Sequence, residues 1–147
     1  MTGVDHIGIA VAKIEDALPF WRDLLGLELT GIEVVPSEKV RVAFLRAGSA
    51  RIELLEPTSP DSPIAKALEK RGPGIHHVAL AVDDVAARMA ALKKAGCPAL
   101  DEAPRPGAEG SKVTFLHPKH AGGVLVELVQ PAPGGRQHGR PDAKGPR

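Results

Sequence analysis

Sulfur and aromatic rings are scarce in this chain. Cys97 is its one cysteine among 147 residues, so it can build neither a disulfide framework nor a thiolate metal cluster, and a reducing cytosol is the expected compartment. Tyrosine is absent, and Phe20, Trp21, Phe44 and Phe115 are too few to form a base-stacking platform for single-stranded nucleic acid. Nor does one charge dominate: 19 Lys plus Arg face 18 Asp plus Glu, a net of +1, too even for a dedicated nucleic-acid binder. No apolar run approaches the roughly 20 residues that cross a bilayer. The opening MTGVDHIGIAVAKIED carries acids where an export signal would carry bases. The expectation is a soluble, unexported, cytoplasmic protein with no nucleic-acid or membrane partner. Its 43% of hydrophobic residues suffices for one domain with its own core.

The charge is unevenly placed. The stretch from Pro131, PAPGGRQHGRPDAKGPR, holds Arg136, Arg140, Lys144 and Arg147 against one acid, Asp142, so the body without it is slightly acidic. It is rich in proline and glycine and nearly devoid of apolar residues, which leaves nothing to offset the entropy of ordering it. Residues 134–147 are expected to form a disordered basic tail.

The body is written twice. Asp5-His6-Ile7-Gly8-Ile9-Ala10 returns 71 residues later as His76-His77-Val78-Ala79-Leu80-Ala81, each an alternating strand that bears histidine. A helix follows each: Ile14 to Leu25 before Gly26, and Asp84 to Ala95 before Gly96, with glycine as the stop. Pro19 lies inside the first helical pattern, in which Leu18, Trp21, Leu24 and Leu25 would share a face. Val42-Ala43-Phe44-Leu45 returns as Val113-Thr114-Phe115-Leu116, and Ile52-Glu53-Leu54-Leu55-Glu56-Pro57 as Val126-Glu127-Leu128-Val129-Gln130-Pro131. The second strand of each half falls over Leu27 to Val35 and, more weakly, near Ala99 to Asp101. The pattern predicts an α+β fold of two tandem βαβββ modules, about 4–57 and 75–131, within one domain of residues 1–133. The bridge, 58–74, carries a short helix capped by Asp61 or Ser62, with Pro63 in its first turn.

Four chemistry-bearing residues occupy repeat-related positions: His6 and His77 on the first strands, Glu53 and Glu127 on the last. Two imidazoles and two carboxylates suit zinc, cobalt, manganese, nickel or iron better than an all-oxygen calcium cage. An approximate twofold axis between the modules would bring the four together, leaving two octahedral positions open for a chelating substrate. A lone histidine on an apolar strand is ordinarily a satisfied interior residue, and Glu53 and Glu127 could face outward. The repeat adds weight to the metal reading, because four polar groups aimed inward would be costly without a shared partner. His76 has the wrong parity to join them and reads as a supporting or structural residue. Cys97, between Gly96 and Pro98, reads as a small apolar filler.

The repeated unit with these four residues resembles the vicinal-oxygen-chelate superfamily, which includes glyoxalases, extradiol dioxygenases and fosfomycin-resistance proteins. The segments DHIGIAV, VAFL, IELLEPTSPDSPIAKALEKRGPGIHHVAL and RPGAEGSKVTFLHPKHAGGVLVELVQ, which together span most of Val4 to Gln130, narrow the resemblance to the methylmalonyl-CoA epimerase family. The resemblance implies a metal-dependent epimerase that interconverts (R)- and (S)-methylmalonyl-CoA in propionate metabolism. It implies a divalent cofactor, with cobalt, manganese, zinc, nickel and magnesium all open, and a homodimer. A glyoxalase-like lyase or dioxygenase is the alternative within the superfamily, and a metal-free small-molecule-binding protein the alternative outside enzymes. In the family the residue matching Glu127 is both metal ligand and acid–base group. Some members carry glutamate where this chain has Val42 and glutamine where it has Glu53, so the second acid of the inversion falls to Glu53 or to water on the ion. Many relatives carry histidine at the position of Glu109. Ser111, Lys112 and Lys119 fall in segments that the resemblance places near the substrate, where an ammonium could meet the coenzyme A phosphates or the free carboxylate.

Overall fold

The computed structural model describes residues 1–134; the expected basic tail, apart from Gly134, lies outside the described residues. The first module runs β1 (Gly3–Ala10), α1 (Ile14–Leu18), β2 (Glu28–Val35), β3 (Val40–Ala47) and β4 (Ala50–Pro57). Helix α2 (Pro63–Arg71) bridges to the second: β5 (Gly74–Ala81), α3 (Val85–Lys94), β6 (Arg105–Pro106), β7 (Lys112–Leu116) and β8 (Val126–Gln130). All eight strands join one mixed sheet in the order β2-β3-β4-β1-β5-β8-β7-β6. Its centre is the antiparallel pair β1–β5, so the two histidine strands are direct neighbours.

The strands carry apolar residues on both faces because both faces are covered. Ala43, Leu45 and Leu54 lie beneath α1 against Ile14 and Leu18, and Leu128 lies beneath α3 against Val85 and Met89. The opposite face bears Val42, Phe44 and Leu55 in the first module and Val113 and Val129 in the second. Each module helix is tied to its last strand in the same way: Ile14 N–H donates to Glu56 Oε1 at 2.8 Å and Val85 N–H to Gln130 Oε1 at 3.0 Å. Bonds of this kind satisfy backbone donors that a helix start otherwise leaves bare. In the bridge, Ser62 caps α2 by accepting from Ile64 N–H at 3.1 Å.

The sheet curls until its two edges meet. Glu33 on β2 accepts the Glu109 N–H at 3.1 Å, Ser37 donates to the Pro106 carbonyl at 3.0 Å, and Arg105 lies 3.4 Å from Glu38. Curling closes the inner face into a cavity of about 470 Å³.

Two expected elements differ. The first helix is α-helical only to Leu18, and Pro19–Leu24 continue it as a π-helical turn in which Leu25 N–H reaches back to the Phe20 carbonyl. Pro19 has no N–H to continue an α-helical ladder. The changed winding leaves Leu24 79% and Leu25 52% exposed, so they do not share the buried face of Leu18. In the second module no strand forms over Ala99 to Asp101, and β6 is only the two residues Arg105–Pro106. Pro98 and Pro104 flank this stretch and supply no ladder donor, and the Asp101 carboxylate instead takes the Thr114 hydroxyl at 3.3 Å and Arg105 Nε at 3.2 Å.

Candidate metal centre and active site

The strand pairing creates room for two imidazoles at the middle of the sheet. His6 stands opposite Ala79 and His77 opposite Gly8, so each ring faces a small residue on the neighbouring strand. At Gly8 this is obligatory, because a Cβ there would overlap the His77 ring. Glu127 follows on β8, in register with Ala79, and all three side chains are at least nine-tenths buried.

His6 Nε2, His77 Nε2 and Glu127 Oε1 form a near-equilateral triangle, with sides of 3.0 Å between the nitrogens, 3.1 Å from His6 to Glu127 and 3.0 Å from His77 to Glu127. Adjacent ligands on an octahedral ion with bonds of about 2.1 Å lie about 3.0 Å apart, whereas tetrahedral ones lie about 3.4 Å apart. The donor set and its size fit three neighbouring positions of an octahedral divalent ion, with nitrogen and carboxylate ligands of the borderline type.

Each histidine is oriented from behind by the residue preceding it. His6 Nδ1 donates to Asp5 Oδ2 at 2.5 Å, and His77 Nδ1 lies 2.8 Å from His76 Nδ1. With Nε2 of His77 turned to the triangle, its Nδ1–H is the donor and His76 the acceptor, an outer partner of the kind that fixes a metal-ligating ring. Strict alternation would send Asp5 and His76 to the other face. The register shifts of the β1–β5 ladder fall at these residues, so Asp5 and His76 are each the extra residue of a bulge, and a bulge of this kind turns consecutive side chains to one side. His76 is therefore a supporting residue, brought to its neighbour's ring by the bulge and not by strand parity, and Asp5, which the strand pattern does not single out, plays the same part for His6. The signal was available, since Asp5 and His76 are themselves related by the 71-residue repeat.

Glu53 reaches His6 from the opposite side of the ring. Its Oε2 lies 3.3 Å from His6 Nδ1 and accepts from Arg51 Nη2 at 2.9 Å, so it groups with Asp5 and His6 rather than with the triangle. Arg51, also buried, reaches Glu109 Oε1 at 2.5 Å with its other terminal nitrogen and lies over the Phe44 ring at 4.4 Å. Arg51 and Glu53 share a strand face by simple alternation, the signal that could have found this arginine.

The electrostatics follow from this packing. Burial opposes charge on the His6 ring, but the Glu53 carboxylate and the bonds to Asp5 and Glu127 outweigh it and raise the His6 pKa to about 10. Burial would raise Glu127, yet the hydrogen bonds from His6 and His77 hold it down at about 2. Glu53 is pushed upward by burial, against the pull of His6 and Arg51. Burial and the neighbouring His77 lower His76 to about 4, consistent with a neutral acceptor.

Ser111 is half-buried and lines the cavity beside Val113 and Glu109. Lys112 and Lys119 are exposed and line neither this cavity nor the one next to it. Val42 is buried in the cavity wall, so the wall is apolar where some relatives carry an acid. Cys97 is half-buried and unpaired in any disulfide.

Residues 5–115 match the Glyoxalase/Bleomycin resistance protein/Dioxygenase superfamily. The chain is 42% identical over 129 residues to the ethylmalonyl-CoA/methylmalonyl-CoA epimerase of Cereibacter sphaeroides, covering 86% of this chain and 96% of that protein. Among solved structures, methylmalonyl-CoA epimerase from Mycobacterium tuberculosis superposes with a TM-score of 0.87 at 43% identity, covering 90% of each chain. A variant of the Streptomyces coelicolor methylmalonyl-CoA epimerase in complex with 2-nitronate-propionyl-CoA gives a TM-score of 0.87 at 40% identity, covering 90% of this chain and 99% of that one. The chain belongs to the methylmalonyl-CoA epimerase family of this superfamily.

Proposed function

We propose that this protein is an isomerase that interconverts (R)- and (S)-methylmalonyl-CoA, using a divalent ion held by His6, His77 and Glu127. The observation that carries the reading is the triangle of three donors about 3.0 Å apart on the wall of the cavity inside the curled sheet, in a chain whose relatives are named for this reaction. The hydrogen to be moved lies between a thioester and a carboxylate. His6, His77 and Glu127 would hold the divalent ion, which would supply positive charge where the enolate oxygen develops.

The protein's own residues supply proton transfer and a dry, shaped site. Inversion needs removal of the hydrogen on one face and delivery on the other. Glu127, held ionised, serves as one acid–base group. Glu53 serves as the other: it lines the same cavity, and its upward-shifted carboxyl is closer to the working range of a general acid. Asp5 and His76 fix the ring orientations, and Val42, Leu55, Val113, Phe115 and Val129 exclude water. Ser111 remains the candidate for direct substrate contact among the three residues singled out from sequence.

Exchange of the substrate α-hydrogen with solvent deuterium tests the reading. Exchange on methylmalonyl-CoA with cobalt or manganese present is expected, together with loss of metal binding in His77→Ala; no exchange in the metal-loaded protein sinks it. Glu53→Gln should lower turnover at saturating metal by about 10²- to 10⁴-fold, and near-normal turnover would remove Glu53 from the proton path.

The same proposal takes residues 1–133 as one domain with a basic tail over 134–147, acting as a cytoplasmic homodimer. Exposed Phe20, Leu24 and Leu25 on the π-helical turn, and Ile32 and Val34 on β2, are apolar surfaces that a second copy would cover. No helix among the described residues is long and apolar enough to cross a membrane. Sedimentation at micromolar concentration tests the dimer.

A further inference from the structure

A second cavity, also about 470 Å³, adjoins the first. The two share Pro63, His76, His77 and Leu125 in their walls, so they are contiguous. One wall of the second is a face of α2. Lys66 and Lys70 are one helical turn apart on it with Arg71 beside them, while Ile64 and Leu68 on the other face pack into the core. The facing wall is the β7–β8 connection, from Pro118 to Leu125.

The charges of the two cavities differ in kind. Five carboxylates line the first, and its arginines are already engaged: Arg51 with Glu53 and Glu109, Arg105 with Glu38 and Asp101. No acid lines the second, and among the described residues Lys66, Lys70 and Arg71 have no carboxylate partner. The second cavity also exposes apolar surface, with Ile75 65% and Val124 46% accessible. An acyl-CoA has matching parts: a reacting acyl end, a pantetheine arm with an apolar dimethyl segment, and a remote end bearing a pyrophosphate and a 3′-phosphate. The phosphates would be repelled by the carboxylate-lined cavity, and of the two cavities it is the second that offers cations with no carboxylate partner among the described residues.

We infer that the cleft between α2 and the β7–β8 connection holds the phosphate end of the coenzyme A moiety, with Lys66, Lys70 and Arg71 as its cationic contacts. This rests on the acyl-CoA reading above and moves the phosphate contacts away from Lys112 and Lys119, which line neither cavity. Ile75 and Val124 would carry the pantetheine arm between the two ends.

The test compares the triple variant Lys66→Ala/Lys70→Ala/Arg71→Ala with wild type, using Lys93→Ala/Lys94→Ala on α3 as a control for lost surface charge. All five side chains are exposed, so the fold should persist. With methylmalonyl-CoA the triple variant should raise KM by about tenfold or more, with kcat nearly unchanged. With methylmalonyl-pantetheine, which lacks the phosphates, wild type and triple variant should be indistinguishable. A KM change below about twofold, or an equal loss with the pantetheine substrate, overturns the inference. Calorimetric binding of free coenzyme A separates this from the proposed activity. If wild type performs no α-hydrogen exchange but the triple variant still loses coenzyme A binding tenfold, the cleft stands and the activity falls. If exchange occurs and the triple variant binds coenzyme A like wild type, or neither binds it, the cleft assignment falls alone.

Discussion

Replacing Arg51 by methionine should destabilise the metal-free protein by an amount that the structure bounds. The arginine and its partner Glu53 are 9% and 5% exposed as side chains, so the substitution leaves a buried carboxylate with no cation on that side. Breaking a buried pair costs about 3–5 kcal/mol when the stranded charge must remain. Glu53 need not remain charged, however. Protonating a carboxylate whose ordinary pKa is 4.5 takes no more than about 3.4 kcal/mol at pH 7, at about 1.36 kcal/mol per pH unit. The expected loss is therefore about 2–3 kcal/mol at pH 7, because methionine retains the packing on Phe44 and Glu109 can turn to solvent. For a chain of this size that lowers Tm by about 6–12 °C. The sign of the pH dependence follows from the raised carboxyl. In the variant the folded protein binds a proton that the unfolded chain releases, so its deficit grows as pH rises and shrinks as pH falls toward the ordinary carboxylate range. Adding Glu53→Gln to Arg51→Met should restore most of the stability and remove the pH dependence, with both read from thermal unfolding between pH 5 and 8. A single variant within about 2 °C of wild type at pH 8, or a deficit that is flat with pH, would refute the buried-pair account.

The raised His6 makes a further prediction, since a divalent ion at Nε2 competes with the proton that this cluster retains at neutral pH. Calorimetry in buffers of different ionisation enthalpy should register about one proton released per ion at pH 7, and affinity should rise with pH; uptake or no release would count against His6 as a ligand. Gly8→Ala should weaken cobalt binding by at least about tenfold by displacing the His77 ring, whereas Ala79→Gly on the partner strand should leave it nearly intact. Glu56→Ala and Gln130→Ala should each cost about 1 kcal/mol, seen as a Tm loss of a few degrees, by baring the first N–H of α1 and α3. Equal stability of either variant with wild type would show that the contact contributes nothing net.

The internal repeat made most of the architecture legible, because a 71-residue offset aligned strands, helix stops and four polar positions without any three-dimensional information. The places where the reading failed have local causes. Leu24 and Leu25 follow an apolar period that assumes 3.6 residues per turn, and the wider winding after Pro19 turns both outward. The stretch at Ala99 to Asp101 lies between prolines, and although Leu100 N–H donates to the Phe115 carbonyl on β7 at 2.9 Å, Pro98 and Pro104 supply no donor to extend that contact into a ladder. Strand order was not legible at all. Pairing of β1 with β5 is a contact across 71 residues, and pattern within a strand says which face is buried but not against which neighbour.

The site shows the same boundary more sharply. Histidines at matching repeat positions were visible because one strand periodicity places each of them, but the residues that aim them break that periodicity. Asp5 and His76 reach their histidines only because each sits at a bulge, and a bulge is a property of two strands in register rather than of either sequence. The repeat nevertheless ties the two irregularities together, since they fall on equivalent residues of β1 and β5. A bulge on one strand alone would orient one ring and leave the other turned by its strand's ordinary pleat. Matched bulges on antiparallel neighbours give both rings outer support at Nδ1, leaving the two Nε2 atoms turned toward each other at 3.0 Å with Glu127 completing the triangle. Glu53 lacks an equivalent device: its position is governed by Arg51, which has no counterpart at the matching residue of the second module, Leu125. That asymmetry within an otherwise repeated frame puts the two glutamates, alike in sequence pattern, on different sides of His6: hydrogen bonds from both histidines hold Glu127 down, whereas at Glu53 burial outweighs the pull of His6 and Arg51 and pushes the carboxyl upward.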